Sequence, residues 1–161
     1  MQLQRFDDAR LGELMNWFPD AHACRVWGGM QFRFPFTPAT FREDAKIDSL
    51  PTWMLVEAGE MVAFGQYYLR IGRCHLGRLA VTPDRRSRGI GAALVRELCA
   101  RGSAELGVDE FSLFVLPGNE RARRLYERLG FEVDRYPDPS PPYADCIYMT
   151  HRAKSAAKPS M

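Results

Sequence analysis

The stretch WMLVEAGEMVAFGQYYLRIGRCHLGRLAV, residues 53–81, constrains the fold of this chain most. It holds three apolar runs rich in β-branched and aromatic residues. Glycine-containing turns at Ala58-Gly59 and Ile71-Gly72 separate them. Short runs of this makeup joined by tight turns read as an antiparallel β-meander. Pro83 closes it. The hydrophobic period then changes. Ile90, Leu94, Val95 and Leu98 recur at helical spacing, so a helix runs from about Gly89 to Leu106. FSLFVL, residues 111–116, is apolar on both faces and reads as a buried central strand. In PGNERARRLYERLG, Ala122, Leu125, Tyr126 and Leu129 form one face of a second helix, which Gly130 ends as a C-cap.

The rest of the chain is read the same way. MQLQRF alternates like a strand. A helix spans roughly Asp8 to Phe18, with Leu11, Leu14, Met15 and Phe18 on one face. Residues 19–37 are irregular and aromatic-rich, with Trp27, Phe32, Phe34 and Phe36. Thr37 then caps a helix that starts at Pro38. FEVDRY and DCIYMT form a last strand pair around a proline-rich loop. Strands first, then strand and helix in alternation, indicate an α/β (α+β) fold built on a mixed sheet. Residues 1–150 form one domain, and 151–161 a disordered tail.

The bulk numbers exclude several classes. With 46% hydrophobic and 26% charged residues, the chain has the balance of a soluble globular protein. A net charge of +2 gives no case for a nucleic-acid or membrane partner. The basic residues Arg85, Arg86 and Arg88 and the cluster Arg121, Arg123 and Arg124 have no interleaved aromatic set for stacking bases, which argues against an RNA-binding module. Cys24, Cys74, Cys99 and Cys146 lack metal-binding spacing, so no metal is expected, and a reducing cytoplasm fits them best. MQLQRFDDAR does not read as a signal peptide, and no apolar run approaches the ~18 residues of a membrane span.

The chemistry concentrates in PDRRSRGIGA, residues 83–92. A helix N-terminus carries unpaired N–H groups and partial positive charge, so it attracts anions. Gly89 and Gly91 let phosphate oxygens approach the backbone, and Arg85, Arg86 and Arg88 add charge. The loop lacks the GK[ST] of a P-loop and the complete G-x-G-x-x-G of a dinucleotide fold.

In order, the chain reads strand, R-x-x-G-x-G, helix, buried strand, then N-x-x-A-x-x-L-Y-x-x-L-G-F. This resembles the GNAT superfamily of acyl-CoA-dependent N-acetyltransferases. The matching residues are Leu79-Ala80-Val81, Arg86 to Ala92, Asn119, Ala122, Leu125, Tyr126, Gly130 and Phe131. They lie within residues 75–132, about a third of the chain. The resemblance implies a splayed, mostly antiparallel sheet of about 6–7 strands with about four helices. It also implies acetyl-CoA bound in a notch between the strand ending at Val81 and FSLFVL. In that reading the loop Arg86, Ser87, Arg88, Gly89, Ile90, Gly91, Ala92 takes the pyrophosphate, chiefly on the amides of Arg88 to Ala92. Leu79, Ala80 and Val81 lie along the pantetheine arm. Asn119 either lies near that arm or caps the second helix.

Acetyl transfer needs a neutral amine, a polarised carbonyl and a proton for the leaving thiolate. Neutralising an alkyl amine at pH 7 costs about 4 kcal/mol, so a base helps. The resemblance places the Leu79 backbone N–H at the developing oxyanion. It places Tyr126 beside the sulfur as the acid; packing alone is the other reading of Tyr126. Counting back along the strand puts His75 where relatives carry a glutamate base, with Glu57, Asp145 and water as alternatives. Trp27 and Asp145 are the acceptor-side candidates, with Asp134 and Asp138 as further carboxylates that could attract a cationic amine or simply face water. The expected acceptor is an amine of a small molecule or peptide. A catalytically silent acyl-CoA-binding module is the alternative, and a homodimer is left open.

Overall fold

A computed structural model of the protein describes residues 1–138 and 145–153. Most of the proline-rich loop and the tail from residue 154 lie outside the described residues. The meander is present as β2 (Thr52–Glu57), β3 (Glu60–Arg70) and β4 (Arg73–Val81). Both hairpin turns have two central residues with positive φ, Ala58 and Gly59 in one, Ile71 and Gly72 in the other. That backbone twist matches the twist of the flanking strands. β1 (Gln2–Arg5) adds to β2. β5 (Glu110–Val115), β6 (Glu132–Val133) and β7 (Ile147–Arg152) complete a seven-stranded sheet in the order β1-β2-β3-β4-β5-β7-β6. Every pairing is antiparallel except β4 with β5. The sheet is therefore mixed and mostly antiparallel, as expected.

The parallel pair is joined by α4 (Ile90–Leu106), which crosses one face of the sheet together with α5 (Glu120–Arg128). Leu94, Val95 and Leu98 of α4 are buried there. Removing each of these side chains from water contributes roughly 1.5–3 kcal/mol. Two glycines let α4 sit close. A Cβ on Gly65 of β3 would stand 2.6 Å from Leu98, and one on Gly102 of α4 would stand 2.5 Å from the Cys74 sulfur.

The opposite face carries α1 (Leu11–Met15), α2 (Ala21–Gly28) and α3 (Pro38–Asp44) around a second core of Leu14, Phe18, Phe32, Phe41, Met54 and Phe64. α2 corrects the sequence reading, which left this segment irregular. Its N-cap is Asp20, whose carboxylate accepts from the Ala23 N–H at 2.8 Å. The expected first helix is also shorter: a 3-10 turn at Asp8–Arg10 leads into α1, which ends at Met15. His151 and Arg152, expected in the tail, extend β7, paired with Phe111 and Glu110. The four cysteines are free. Among the described residues no helix is long and apolar enough to cross a membrane.

Candidate active site

The site begins with a divergence. β4 and β5 pair only at Cys74 with Phe111 and at His75 with Ser112. Beyond those positions β4 runs on to Val81 and β5 to Val115 with no register between them. The two strands thus enclose a notch that opens toward their C-terminal ends. The Thr82 N–H donates to the Val62 carbonyl at 2.9 Å, so Thr82 faces β3. Alternation along an antiparallel strand then turns the backbone groups of Val81 and Leu79 the other way, into the notch.

A bulge sits on the same strand. Gln66 pairs with Gly77 and Phe64 with Ala80, so one residue of β3 faces two of β4, Arg78 and Leu79. Arg78 has φ 48°. The bulge switches side-chain parity: Cys74 and Leu76 point toward α4 before it, Leu79 and Val81 after it. Ala80 is left on the opposite core. The Trp27 indole of α2 donates to the Arg78 carbonyl at 2.8 Å. This bond ties the helix on the far face to the bulge. Trp27 itself stacks on Phe18 at 4.2 Å and packs on Phe41 at 5.6 Å. It packs against the second core and stays partly exposed.

Tyr126 of α5 meets β4 across the notch. A narrow crevice of about 90 Å³ is lined by Leu79, Ala80, Val81, Gly91, Leu94, Val95, Leu125 and Tyr126. The Tyr126 hydroxyl has no hydrogen-bond partner among the described residues. Burial pushes its pKa up to about 12, so it stays protonated through the physiological range. A larger, shallow hollow of about 510 Å³ lies at the other end of β5, around Gly72, Ser103, Gly107 and Glu110. It holds none of the candidate residues.

The arginine loop runs from the end of β4 into α4. Ser87 and Gly89 both have positive φ, 69° and 79°, and Gly89 is an N-cap without a side chain to offer. The first amides of α4 therefore have no side-chain cap. Arg86, Ser87, Arg88 and Gly89 are exposed. Arg85 is not available to a ligand in the same way. Its guanidinium pairs with Glu60 and lies 3.5 Å from Glu57. Glu57 lies in that contact and keeps its side chain partly exposed. Arg86 and Arg88 have no ion-pair partner among the described residues.

Asn119 caps α5, its side-chain oxygen accepting from the Ala122 N–H at 3.3 Å. Its amide NH₂ is not used in this bond. Asp145 is exposed, two residues before Ile147, which pairs with the last residue of β5, so it stands at the open end of the notch. Asp134 accepts from the Thr150 hydroxyl at 2.9 Å.

His75 is placed at the apex, where β4 and β5 part. It is 2% exposed, and its Nδ1 lies 2.8 Å from the Ser112 hydroxyl. Tyr68 and Phe114 pack on the ring at 5.3 and 4.9 Å. Burial, and secondarily the Arg70 cation, lower its pKa to about 3. His75 is therefore neutral at pH 7 and a weaker base than a free imidazole.

These features fit acyl-CoA. The notch offers unpaired strand backbone, the helix start offers uncapped amides beside two cations with no ion-pair partner among the described residues, and the crevice joins them. The chain matches the family model described as Acetyltransferase (GNAT) family over residues 13–131. It belongs to that family. Over 133 residues it is 30% identical to mycothiol acetyltransferase of Corynebacterium aurimucosum, covering 75% of this chain and 40% of that protein. Over 102 residues it is 33% identical to the [ribosomal protein bS18]-alanine N-acetyltransferase of Escherichia coli, covering 61% of this chain and 65% of that protein. The chain thus spans less than two thirds of the length of these relatives. Its fold is similar to aminoglycoside acetyltransferase AAC(6')-Ib in complex with parmomycin and acetyl-CoA, at a TM-score of 0.73 and 22% identity over 94% of this chain and 92% of that one. It is also similar to the ribosomal-protein-S18-alanine N-acetyltransferase structure from Escherichia coli, at 0.67 and 24% identity over 99% and 98%. Among the described residues no group of His, Cys, Asp and Glu could hold a metal ion.

Proposed function

We propose that this chain is an N-acetyltransferase that moves an acetyl group from acetyl-CoA to a primary amine of a small molecule or peptide by direct attack. The observation that carries the reading is the notch edge of β4 joined through the arginine loop to the uncapped N-terminus of α4. Acetyl-CoA, when bound, supplies the activated thioester. The amides of Ile90, Gly91 and Ala92 hold its pyrophosphate, with Arg86 and Arg88 adding charge and Ser87 and Gly89 shaping the loop. Leu79 and Val81 offer backbone hydrogen bonds to the extended arm. The Leu79 N–H, just after the bulge, serves the carbonyl oxygen as it gains charge.

Tyr126 is the proton donor in this reading. Its hydroxyl is free and protonated at working pH, as a donor to a departing thiolate must be. The amine loses its proton to solvent before attack, because His75 is too weak a base. His75 holds the apex of the notch through Ser112. Asp145 attracts the protonated amine to the mouth. Asn119 keeps its cap and directs its amide toward the arm. The protein works in the cytoplasm.

The test is thiol release from acetyl-CoA with a panel of primary amines. Amine-dependent release above the hydrolysis rate is expected. Tight acetyl-CoA binding with no amine-dependent release would instead identify a silent acyl-CoA-binding module.

A further inference from the structure

The face of the notch not covered by α4 and α5 carries a cation with no counterion among the described residues. Arg70 lies at the end of β3, and its guanidinium sits over Phe114 at 5.2 Å and Tyr136 at 5.8 Å. Its Nε donates to the Tyr136 hydroxyl at 3.1 Å and its Nη1 to the Tyr68 hydroxyl at 3.0 Å. Both partners are neutral. No carboxylate pairs with Arg70 among the described residues. The neighbouring Arg73 makes the contrast. It too reaches a tyrosine, Tyr148 at 3.3 Å, but Glu110 stands 3.7 Å away as its counterion.

A half-buried guanidinium pays desolvation that two neutral hydroxyls do not fully offset. A guanidinium has five N–H donors, and the two bonds named use only part of them. The aromatic faces and hydroxyls fix its plane, so the remaining fork is pre-organised for a planar anion.

Through Tyr68 the cluster reaches along β4 toward the bulge. The Tyr68 ring lies 3.7 Å from where a Cβ on Gly77 would be, and Gly77 immediately precedes the bulge. Tyr68, His75 and Phe114 are on the face opposite α4. The arm of the donor fills the notch and α4 and α5 close its other face, so an acceptor must enter over this cluster.

We infer that Arg70, held by Tyr68, Tyr136 and Phe114, binds a carboxylate of the acceptor, so that the substrate is an amine that also carries a carboxylate. This rests on the N-acetyltransferase reading above and names the substrate class of that site. Arg70 is a specificity determinant here, since it touches the acceptor but no reacting atom.

Thiol release from acetyl-CoA tests it with α-, β- and γ-amino acids, each against its C-terminal amide, compared at equal concentrations of neutral amine. At least one acid should exceed its amide by about 10- to 100-fold in kcat/KM, the range for a hydrogen bond to a charged group. Arg70→Gln should erase that preference and leave the KM for acetyl-CoA unchanged. Arg70→Lys should restore part of it, because a lysine keeps the charge without the fork. As a readout independent of turnover, the Arg70 Nε–H NMR signal, assigned by its loss in Arg70→Gln, should shift on titration with the N-acetyl derivative of the preferred acid. The N-acetyl derivative of its amide should leave it in place. Acids and amides used equally by the wild type would overturn the inference while sparing the acetyltransferase reading. So would a preference that survives in Arg70→Gln, leaving Arg70 as a cover over His75. If no amine of either kind raises release above hydrolysis, both readings fall together.

Discussion

Lowering the pH from 7 to 5 should destabilise this protein through one buried side chain, His75. In the unfolded chain its imidazole takes up a proton as the pH falls past 6.5, whereas in the fold burial and the Arg70 cation hold the pKa near 3. Between those values the unfolded state binds more protons, so acid favours unfolding. The contribution is fully present above pH 6.5 and is lost as the pH falls toward 3. The slope is about 1.4 kcal/mol per pH unit, so the loss between pH 6.5 and 5 is about 2 kcal/mol. For a domain of this size that corresponds to roughly 4–8 °C in Tm. The assay is thermal unfolding from pH 7.5 to 5 for the wild type and for His75→Asn. Asparagine keeps an amide near the Ser112 hydroxyl but cannot titrate. The variant should melt lower at pH 7, having lost ring contacts with Tyr68 and Phe114, yet its Tm should fall less steeply with acid. Carboxylate effects are common to both proteins and cancel in the comparison. Parallel curves over this range would refute the reasoning, because His75 would then titrate alike folded and unfolded.

Three further outcomes follow from the site. Tyr126→Phe should lower kcat by about 10- to 1000-fold with little change in acetyl-CoA affinity, since only a free hydroxyl is removed; unchanged turnover with chemistry rate-limiting would return Tyr126 to a packing role. Arg86→Glu and Arg88→Glu should each weaken acetyl-CoA binding by calorimetry by about tenfold at low salt and less at high salt, while Arg85→Ala should leave it unchanged because Arg85 serves Glu57 and Glu60. Trp27→Phe keeps the stacking on Phe18 but removes the donor to the Arg78 carbonyl. It should cost about 1–3 kcal/mol of stability in chemical denaturation and lower kcat more than it changes the KM for acetyl-CoA; an unaltered kcat would separate α2 from the bulge.

Much of this protein is local chemistry and so was legible in order along the chain. The positive-φ turns at Ala58-Gly59 and Ile71-Gly72, the stripe of α4, the doubly apolar β5 and the Gly130 stop are each set by neighbours within a few residues. α2 was hidden because it is one short helix whose only fully buried side chain is Cys24, set before a run of aromatics; the Asp20 cap was the available signal. The site needed contacts between distant segments. Sequence put His75 on the right strand, but its environment comes from Tyr68, Ser112, Phe114 and Arg70, and those decide that it is neutral and weakly basic. Three arginines in one loop look alike in sequence; only the fold brings Glu57 and Glu60 to Arg85 and leaves Arg86 and Arg88 free. The bulge at Arg78 and its indole bond to Trp27 join residues 51 positions apart. Periodicity and capping are fixed by short-range sterics and hydrogen bonds, whereas a pKa, an ion pair and the mouth of a notch depend on which surfaces the folded sheet brings together.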